Sequence, residues 1–366
     1  MKFSINKSEL QNALTVVHKG VSTRSTLPIL SGILLQAHDD TLTMQATDLE
    51  LSVQYSVSTL IEEEGETVVP GKLFFDIVKN LPEAAVSLET AEQGVTVSCD
   101  STLFSLKTLD PQDFPSFPSI EPQQTARIPF SVFAPMVKKV ARVVSRDESR
   151  AILTGVLIKV EDTHLRMVAT DSYCLAIADA DLEEPQDEVF EAVISGSFLQ
   201  DIASLPKADE LISLGLSENQ IVIKYQNTVF INRRLEGNFP NYQQLLPESH
   251  TTRLSIDPRL LIAAARRIAL IDTKSTPVKF DINKDSQTLQ LSNTAQDIGS
   301  AQETLPAVIE GEDMMIAFNH SYVIEGLNSI DDDTVLLEIQ SPSKPGVFKT
   351  DKGEKFLYLI MPVKIS

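Results

Sequence analysis

Tryptophan is absent from this chain of 366 residues, cysteine occurs twice and histidine five times. Each scarcity excludes something. Two thiols, Cys99 and Cys174, cannot frame a disulfide-stapled secreted fold and do not form a Cys-x-x-Cys site; they are expected to be reduced and partly buried. The histidines, at positions 18, 38, 164, 250 and 320, fall singly and without His-Glu-x-x-His spacing, so no metal is expected. There is no glycine-rich phosphate loop of the Walker type and no nucleophile elbow, and no cofactor is implied. Apolar runs of 18 or more are missing, which excludes a membrane-spanning helix. Met1-Lys2-Phe3-Ser4-Ile5 lacks the apolar centre of a secretory signal, so a cytoplasmic protein is expected. Positive charge is also short: 31 Lys and Arg against 51 Asp and Glu leave a net −20. That sum argues against general affinity for nucleic acid but is silent on distribution.

What is present is repetition. The chain is too long for one ordinary core, and 366 residues divide into three of 122, close to the commonest domain size. Phe75, Val78 and Leu81 recur as Leu199, Ile202 and Leu205, and again as Ile324, Leu327 and Ile330. A second helical stripe starts at Leu10, Phe133 and Leu260, each with apolar residues at the spacing of one buried helix face. Ser8, Ser131 and Asp257-Pro258 read as the helix starts. Alternating runs such as Leu42–Ala46, Val53–Val57, Val95–Cys99 and Gln220–Lys224 read as strands with one covered face. The fold class is α+β, with three units over 1–123, 124–250 and 251–366. Each packs two helices on antiparallel sheet.

The most enzyme-like signal is the pair Asp48 and Asp171, in Ala46-Thr47-Asp48 and Ala169-Thr170-Asp171. Two carboxylates in one cleft could serve as acid and base of a ligand-binding or carbohydrate-processing enzyme. Their equivalent places at the ends of repeated strands favour a simpler role, side-chain hydrogen bonding in a turn.

Charge is unevenly spread. The helix windows 8–19, 72–80, 132–146, 197–207, 258–270 and 322–330 hold eleven basic and four acidic residues, a net of +7 against −27 elsewhere. Lysine-rich helix faces are often only solvated surface. Yet windows 132–146 and 258–270, with Lys138, Lys139, Arg142, Arg146, Arg266 and Arg267, contain no acid. Helices lining a concave surface would then tolerate DNA without gripping it, while an acidic exterior discourages binding outside.

The chain resembles the beta subunit of bacterial replicative DNA polymerase, the sliding clamp family. The likeness runs through Thr26-Leu27-Pro28-Ile29-Leu30, Ala46-Thr47-Asp48-Leu49-Glu50, Ala169-Thr170-Asp171-Ser172-Tyr173, Gly237-Asn238-Phe239-Pro240-Asn241-Tyr242 and Ile360-Met361-Pro362-Val363. It implies a non-catalytic processivity factor: a homodimeric ring of six domains around double-stranded DNA, with helices inside and sheets outside. The implied partners are the DNA polymerase III catalytic subunit, a clamp loader complex, and other polymerases and repair proteins carrying clamp-binding peptides. The implied dimer contact joins Leu270 and Ile271 to Leu73 and Leu103 of a second copy. The implied peptide pocket consists of Leu153, Thr170, Ser172, Tyr173, Leu175, Pro240, Leu245, Asn319, Tyr322, Leu359 and Met361. Cys174 stands at its polar edge, where the family usually has arginine. Arg24 and Arg150 match basic positions near DNA.

Overall fold

The computed structural model describes residues 1–22, 26–91, 94–271, 277–295, 298–350 and 355–364. Among them the chain forms two α-helices in each third: α1 (Lys7–Val17), α2 (Gly71–Asn80), α3 (Phe130–Val140), α4 (Gly196–Ala203), α5 (Pro258–Ile268) and α6 (His320–Leu327). A strand runs straight into the first helix of every third: Lys2–Asn6, Gln124–Pro129 and Thr252–Ile256. Antiparallel strands then lead to the second helix, and three more follow it. Each third of the chain thus repeats the expected order of two helices and antiparallel strands.

Contacts group the residues into two compact units, Met1–Ser131 with Leu205–Arg234, and Val132–Ser204 with Leu235–Ser366. Sheet pairing explains why this division ignores the thirds. In the first unit an eight-stranded sheet joins strands of the first and second repeats through Leu51–Ser58 and Thr228–Arg233, with Val53 opposite Phe230. In the second unit a nine-stranded sheet joins the second and third repeats through Cys174–Asp181 and Lys355–Ile360. A five-stranded sheet completes the first unit and a four-stranded sheet the second.

Helix periodicity sets the cores. In the first unit, Leu10, Leu14 and Val17 of α1 and Phe74, Ile77 and Val78 of α2 enter one cluster with Phe3, Val86 and Leu88 of one sheet and Ile33, Leu35 and Met44 of the other. Burying each such side chain contributes roughly 1.5–3 kcal/mol. In the second unit, Leu261, Ala264, Ala265 and Ile268 form the buried stripe of α5.

The helix starts differ from expectation at two places. Asp257 does cap α5, its Oδ1 accepting from Arg259 N at 2.8 Å. Ser8 and Ser131, however, lie inside α1 and α3. The first amides there are satisfied by neighbouring backbone instead: Lys7 N donates to Ala84 O at 3.1 Å and Phe130 N to Glu210 O at 3.0 Å. The helices are also shorter than their apolar stripes. α3 ends at Val140, where Val143 N turns back to Val140 O at 3.1 Å, so Arg142 and Arg146 lie beyond it. Lys207 lies beyond α4, and Lys19 sits in a 3-10 turn after α1. The six helices hold eight basic and four acidic residues, a net of +4 where +7 was expected.

Candidate peptide groove and nucleic-acid face

The groove begins with strand pairing. Cys174–Asp181 runs antiparallel to Lys355–Ile360, placing Leu175 opposite Leu359 and Ile177 opposite Leu357. The next strand, Gly346–Thr350, sets Val347 opposite Leu359. Period-two alternation brings these residues to one face. There Val168, Leu175, Ile177, Tyr242, Val347 and Leu359 form an apolar cluster, with Phe239, Leu246 and Leu357 packed against it. Leu175 is 0% exposed and Leu359 1%, so they form a floor. Tyr173, Pro240, Leu245 and Met361 are exposed and supply apolar surface that solvent reaches.

The turn that presents Tyr173 is held by its own side chains. Thr170 Oγ1 donates to Cys174 O at 2.6 Å and accepts from Ser172 N at 3.2 Å. Asp171 Oδ1 accepts from Tyr173 N at 2.8 Å and Cys174 N at 2.7 Å. These bonds support Ser172 at φ 84°, a left-handed conformation unusual for serine. The first repeat builds the same turn: Asp48 Oδ1 accepts from Glu50 N at 3.0 Å and Leu51 N at 2.7 Å, with Leu49 at φ 77°. Both aspartates thus serve turns, as their spacing suggested.

Tyr173 stacks on Tyr322 of α6, with ring centroids 6.1 Å apart and planes at 19°. Asn319 caps that helix, its Oδ1 accepting from Ser321 N at 2.9 Å. Arg150 Nη1 donates to Ser172 Oγ at 2.9 Å, tying the turn to the 3-10 segment Glu148–Thr154 that buries Leu153. The chain's last described residues are anchored: Met361 N donates to Tyr173 O at 2.9 Å and Val363 N to Ala317 O at 2.8 Å.

Cys174 departs from its expected place. It is 2% exposed and, by the alternation that turns Leu175 toward the floor, faces the opposite side of the sheet. There it meets Tyr358, whose hydroxyl donates to Tyr322 O at 2.9 Å. Burial pushes the thiol well above the ordinary cysteine range, and raises Tyr358 and Tyr322 likewise. Glu325 on α6 is also raised, first by burial and then by the nearby Asp171 charge, against which Arg146 and Arg142 act. The Cys174 thiol therefore belongs to a buried polar layer under α6, and the polar edge of the groove is left to Asn319, Ser172 and Arg150.

The basic residues are mostly exposed, and several of them are also partnered. Lys138, Arg146 and Arg266 are exposed. Arg267 makes a two-pronged ion pair with Glu303 at 2.5 and 2.8 Å, Lys139 lies 3.8 Å from Asp331, and Arg142 donates to Asn328 O at 3.3 Å. Arg150 is held by Asp147 at 3.2 Å. The acid-free windows thus borrow acids from other segments of the fold. Arg24 lies outside the described residues. At the expected dimer contact, Leu73, Leu103 and Leu270 are 50%, 67% and 82% exposed.

Three family models match in series: the DNA polymerase III beta subunit N-terminal domain over residues 1–118, its central domain over 127–241 and its C-terminal domain over 243–364. A protein of Bacillus subtilis is 31% identical over 377 residues, with the whole of both chains covered. The chain belongs to the DNA polymerase III beta subunit family. A relative from Synechocystis, also 31% identical over the full length of both, carries the same description, "Beta sliding clamp". Among solved members, the DNA polymerase sliding clamp of Bacillus subtilis superposes with a TM-score of 0.93 at 30% identity, each chain covered completely. The beta subunit from Streptococcus pyogenes does so at 0.94 and 26%. Several residues of the apolar cluster escaped sequence reasoning as groove residues: Val168, Ile177, Phe239, Tyr242, Leu246 and Val347. The spacing of Phe239 and Tyr242 beside Pro240 was the available signal for those two; Val347 is revealed only by cross-strand register.

Proposed function

We propose that this chain is a DNA sliding clamp, a non-catalytic processivity factor whose two copies close head to tail around duplex DNA. The observation that carries the reading is the end-to-end match of all three repeats to relatives described as beta sliding clamps. The open sheet edges support closure. Among the described residues, Thr102–Leu106 ends the five-stranded sheet and Gly299–Pro306 the four-stranded one, and each edge would offer its outer backbone to a second copy. Leu103 stands on the first edge, and Leu270 and Ile271 follow α5, which packs on the second. Exposed apolar residues beside both edges suit a contact between copies.

Lys138, Arg146 and Arg266 would face the phosphates inside such a ring. Their small number, within a chain of net charge −20, favours loose containment over tight binding. The groove over Leu175 and Leu359 would take a short partner peptide with a leucine and an aromatic residue. Such peptides would come from the DNA polymerase III catalytic subunit, a clamp loader complex and repair proteins. Holding a partner beside DNA raises its effective concentration, which is the physical gain of a clamp. The enzymatic alternative loses its support because Asp48 and Asp171 are each committed to their own turn.

Topology supplies the test. After loading, the protein should remain on closed circular DNA in salt that screens phosphate contacts, and leave the same DNA once it is cut. Equal retention on both forms would mean ordinary binding and would refute the ring.

A further inference from the structure

Two histidines, His164 and His38, each stand between two carboxylates, and the two clusters differ in one respect. His164 lies 3.1 Å from Asp179 through Nε2 and 3.8 Å from Asp181 through Nδ1, but basic groups already balance both acids. Arg166 Nε lies 2.6 Å from Asp179 and Lys355 Nζ 2.7 Å from Asp181. His38 lies 2.9 Å from Glu64 through Nδ1 and 3.2 Å from Asp39 through Nε2, and among the described residues no Lys or Arg pairs with either acid. A neutral imidazole has one N–H, so it donates to one carboxylate and turns a lone pair toward the other. The His38 cluster therefore holds two negative charges without the cations that the His164 cluster has. Backbone brings its three side chains together. Asp39 sits at φ 48° in the tight turn between strands Gly32–His38 and Thr41–Thr47, and Glu64 in the turn between Leu60–Glu63 and Gly65–Pro70. Pairing of Ala37 with Gly65 sets the turns side by side, and Asp39 N donates to Glu64 Oε1 at 3.2 Å. Spacing along the chain pointed to no metal because Glu64 arrives from a separate hairpin.

We propose that His38, Asp39 and Glu64 bind a divalent transition-metal ion of the Zn²⁺ class, which clips the two turns together. One ligand atom from each residue lies within 4.8 Å of the others. Bonds of about 2.0–2.1 Å in a tetrahedral site set ligand atoms about 3.3 Å apart, so the separations at His38 need little adjustment. All three side chains are exposed and free to make it. The imidazole selects the ion: nitrogen suits Zn²⁺, Ni²⁺ or Cu²⁺, whereas Mg²⁺ and Ca²⁺ take oxygen ligands. Water completes the coordination at such a surface position. A net charge of −20 draws cations toward the chain in general, and the three side chains give this one a defined seat.

Isothermal titration of the full chain with zinc chloride, in a non-chelating buffer near neutral pH, should show one Zn²⁺ per chain with a Kd on the order of 10 µM. His38→Gln and Glu64→Gln should each weaken binding about tenfold or more, since each removes one of only three protein ligands. His164→Gln is the internal control: its cluster is already balanced by Arg166 and Lys355, so binding should not change. Mg²⁺ in about hundredfold excess should leave the Zn²⁺ in place. No saturable binding below about 0.1 mM Zn²⁺ overturns the site, and a second proton on His38 then supplies the missing charge. Binding that survives both glutamine substitutions, or that is lost equally in His164→Gln, overturns it as well. Displacement by Mg²⁺ overturns the assigned metal class.

Discussion

Gly326 offers a sharp test of how the groove is braced. It lies in α6, where an alanine would ordinarily stabilise a helix by about 1 kcal/mol. A Cβ at this position, however, would stand 2.2, 2.3 and 2.8 Å from Cδ1, Cε1 and Cγ of Tyr358. These ring atoms cannot step aside as the end of a flexible side chain would. Tyr358 is 0% exposed, its hydroxyl is bonded to Tyr322 O, and its backbone is paired on both sides, to Ala176 and Phe348. Relief requires α6 and the strand Lys355–Ile360 to separate. Overpacking of a tight interior costs roughly 1–3 kcal/mol, and three ring contacts under 3 Å place this case near the upper end. Subtracting the helix gain leaves Gly326→Ala destabilising by about 2 kcal/mol. Urea unfolding of the full chain should show the loss in its midpoint. Because Leu357 and Leu359 lie on the other face of the displaced strand, peptide affinity should fall as well. A Gly326→Ala protein as stable as the parent would refute the reasoning, since it would mean that Tyr358 yields freely.

Three further outcomes are expected. Met361→Ala should weaken binding of a leucine-aromatic peptide by roughly 1–3 kcal/mol without changing the oligomeric state, measured by anisotropy and light scattering. Leu270→Asp with Ile271→Asp should convert a dimer of twice the 40.3 kDa chain mass to monomers, because an unpaired charge in an apolar contact is costly; an unchanged mass would place the contact elsewhere. The Cys174 thiol, raised by burial, keeps its proton in the fold at pH values where the unfolded chain has lost it. Its contribution is complete below the ordinary thiol pKa of about 8.5 and falls as pH rises through that value. Cys99 is raised in the same direction, so Cys174→Ala should flatten the alkaline loss of stability only in part.

Much of the fold was legible because it is written three times. A single apolar stripe such as Leu260–Ile268 is ambiguous, but its recurrence at fixed offsets fixes both element type and order. The Thr-Asp turns were legible for the same reason: a role that must serve two unrelated positions equally is better explained by local backbone bonding than by a cleft. What escaped were the places where distant segments settle a local question. Ser8 and Ser131 carry the right side chains for caps, yet the carbonyls of Ala84 and Glu210 reach the same helix ends first. Likewise the windows 132–146 and 258–270 contain no acid, but Asp331 and Glu303 arrive from other elements and take part of the positive charge. Charge counted along one window is blind to them.

Cys174 shows how position along a chain and direction across a sheet can part company. Adjacent strand residues point to opposite faces, so Leu175 on the groove floor commits Cys174 to the side of α6. Resemblance transfers position along the chain, and a long arginine at that position could curl its charged end back around the strand edge toward the groove. A cysteine is too short to do so. Its thiol stays under α6 against Tyr358, and the polar character of the groove must come from residues on the correct face.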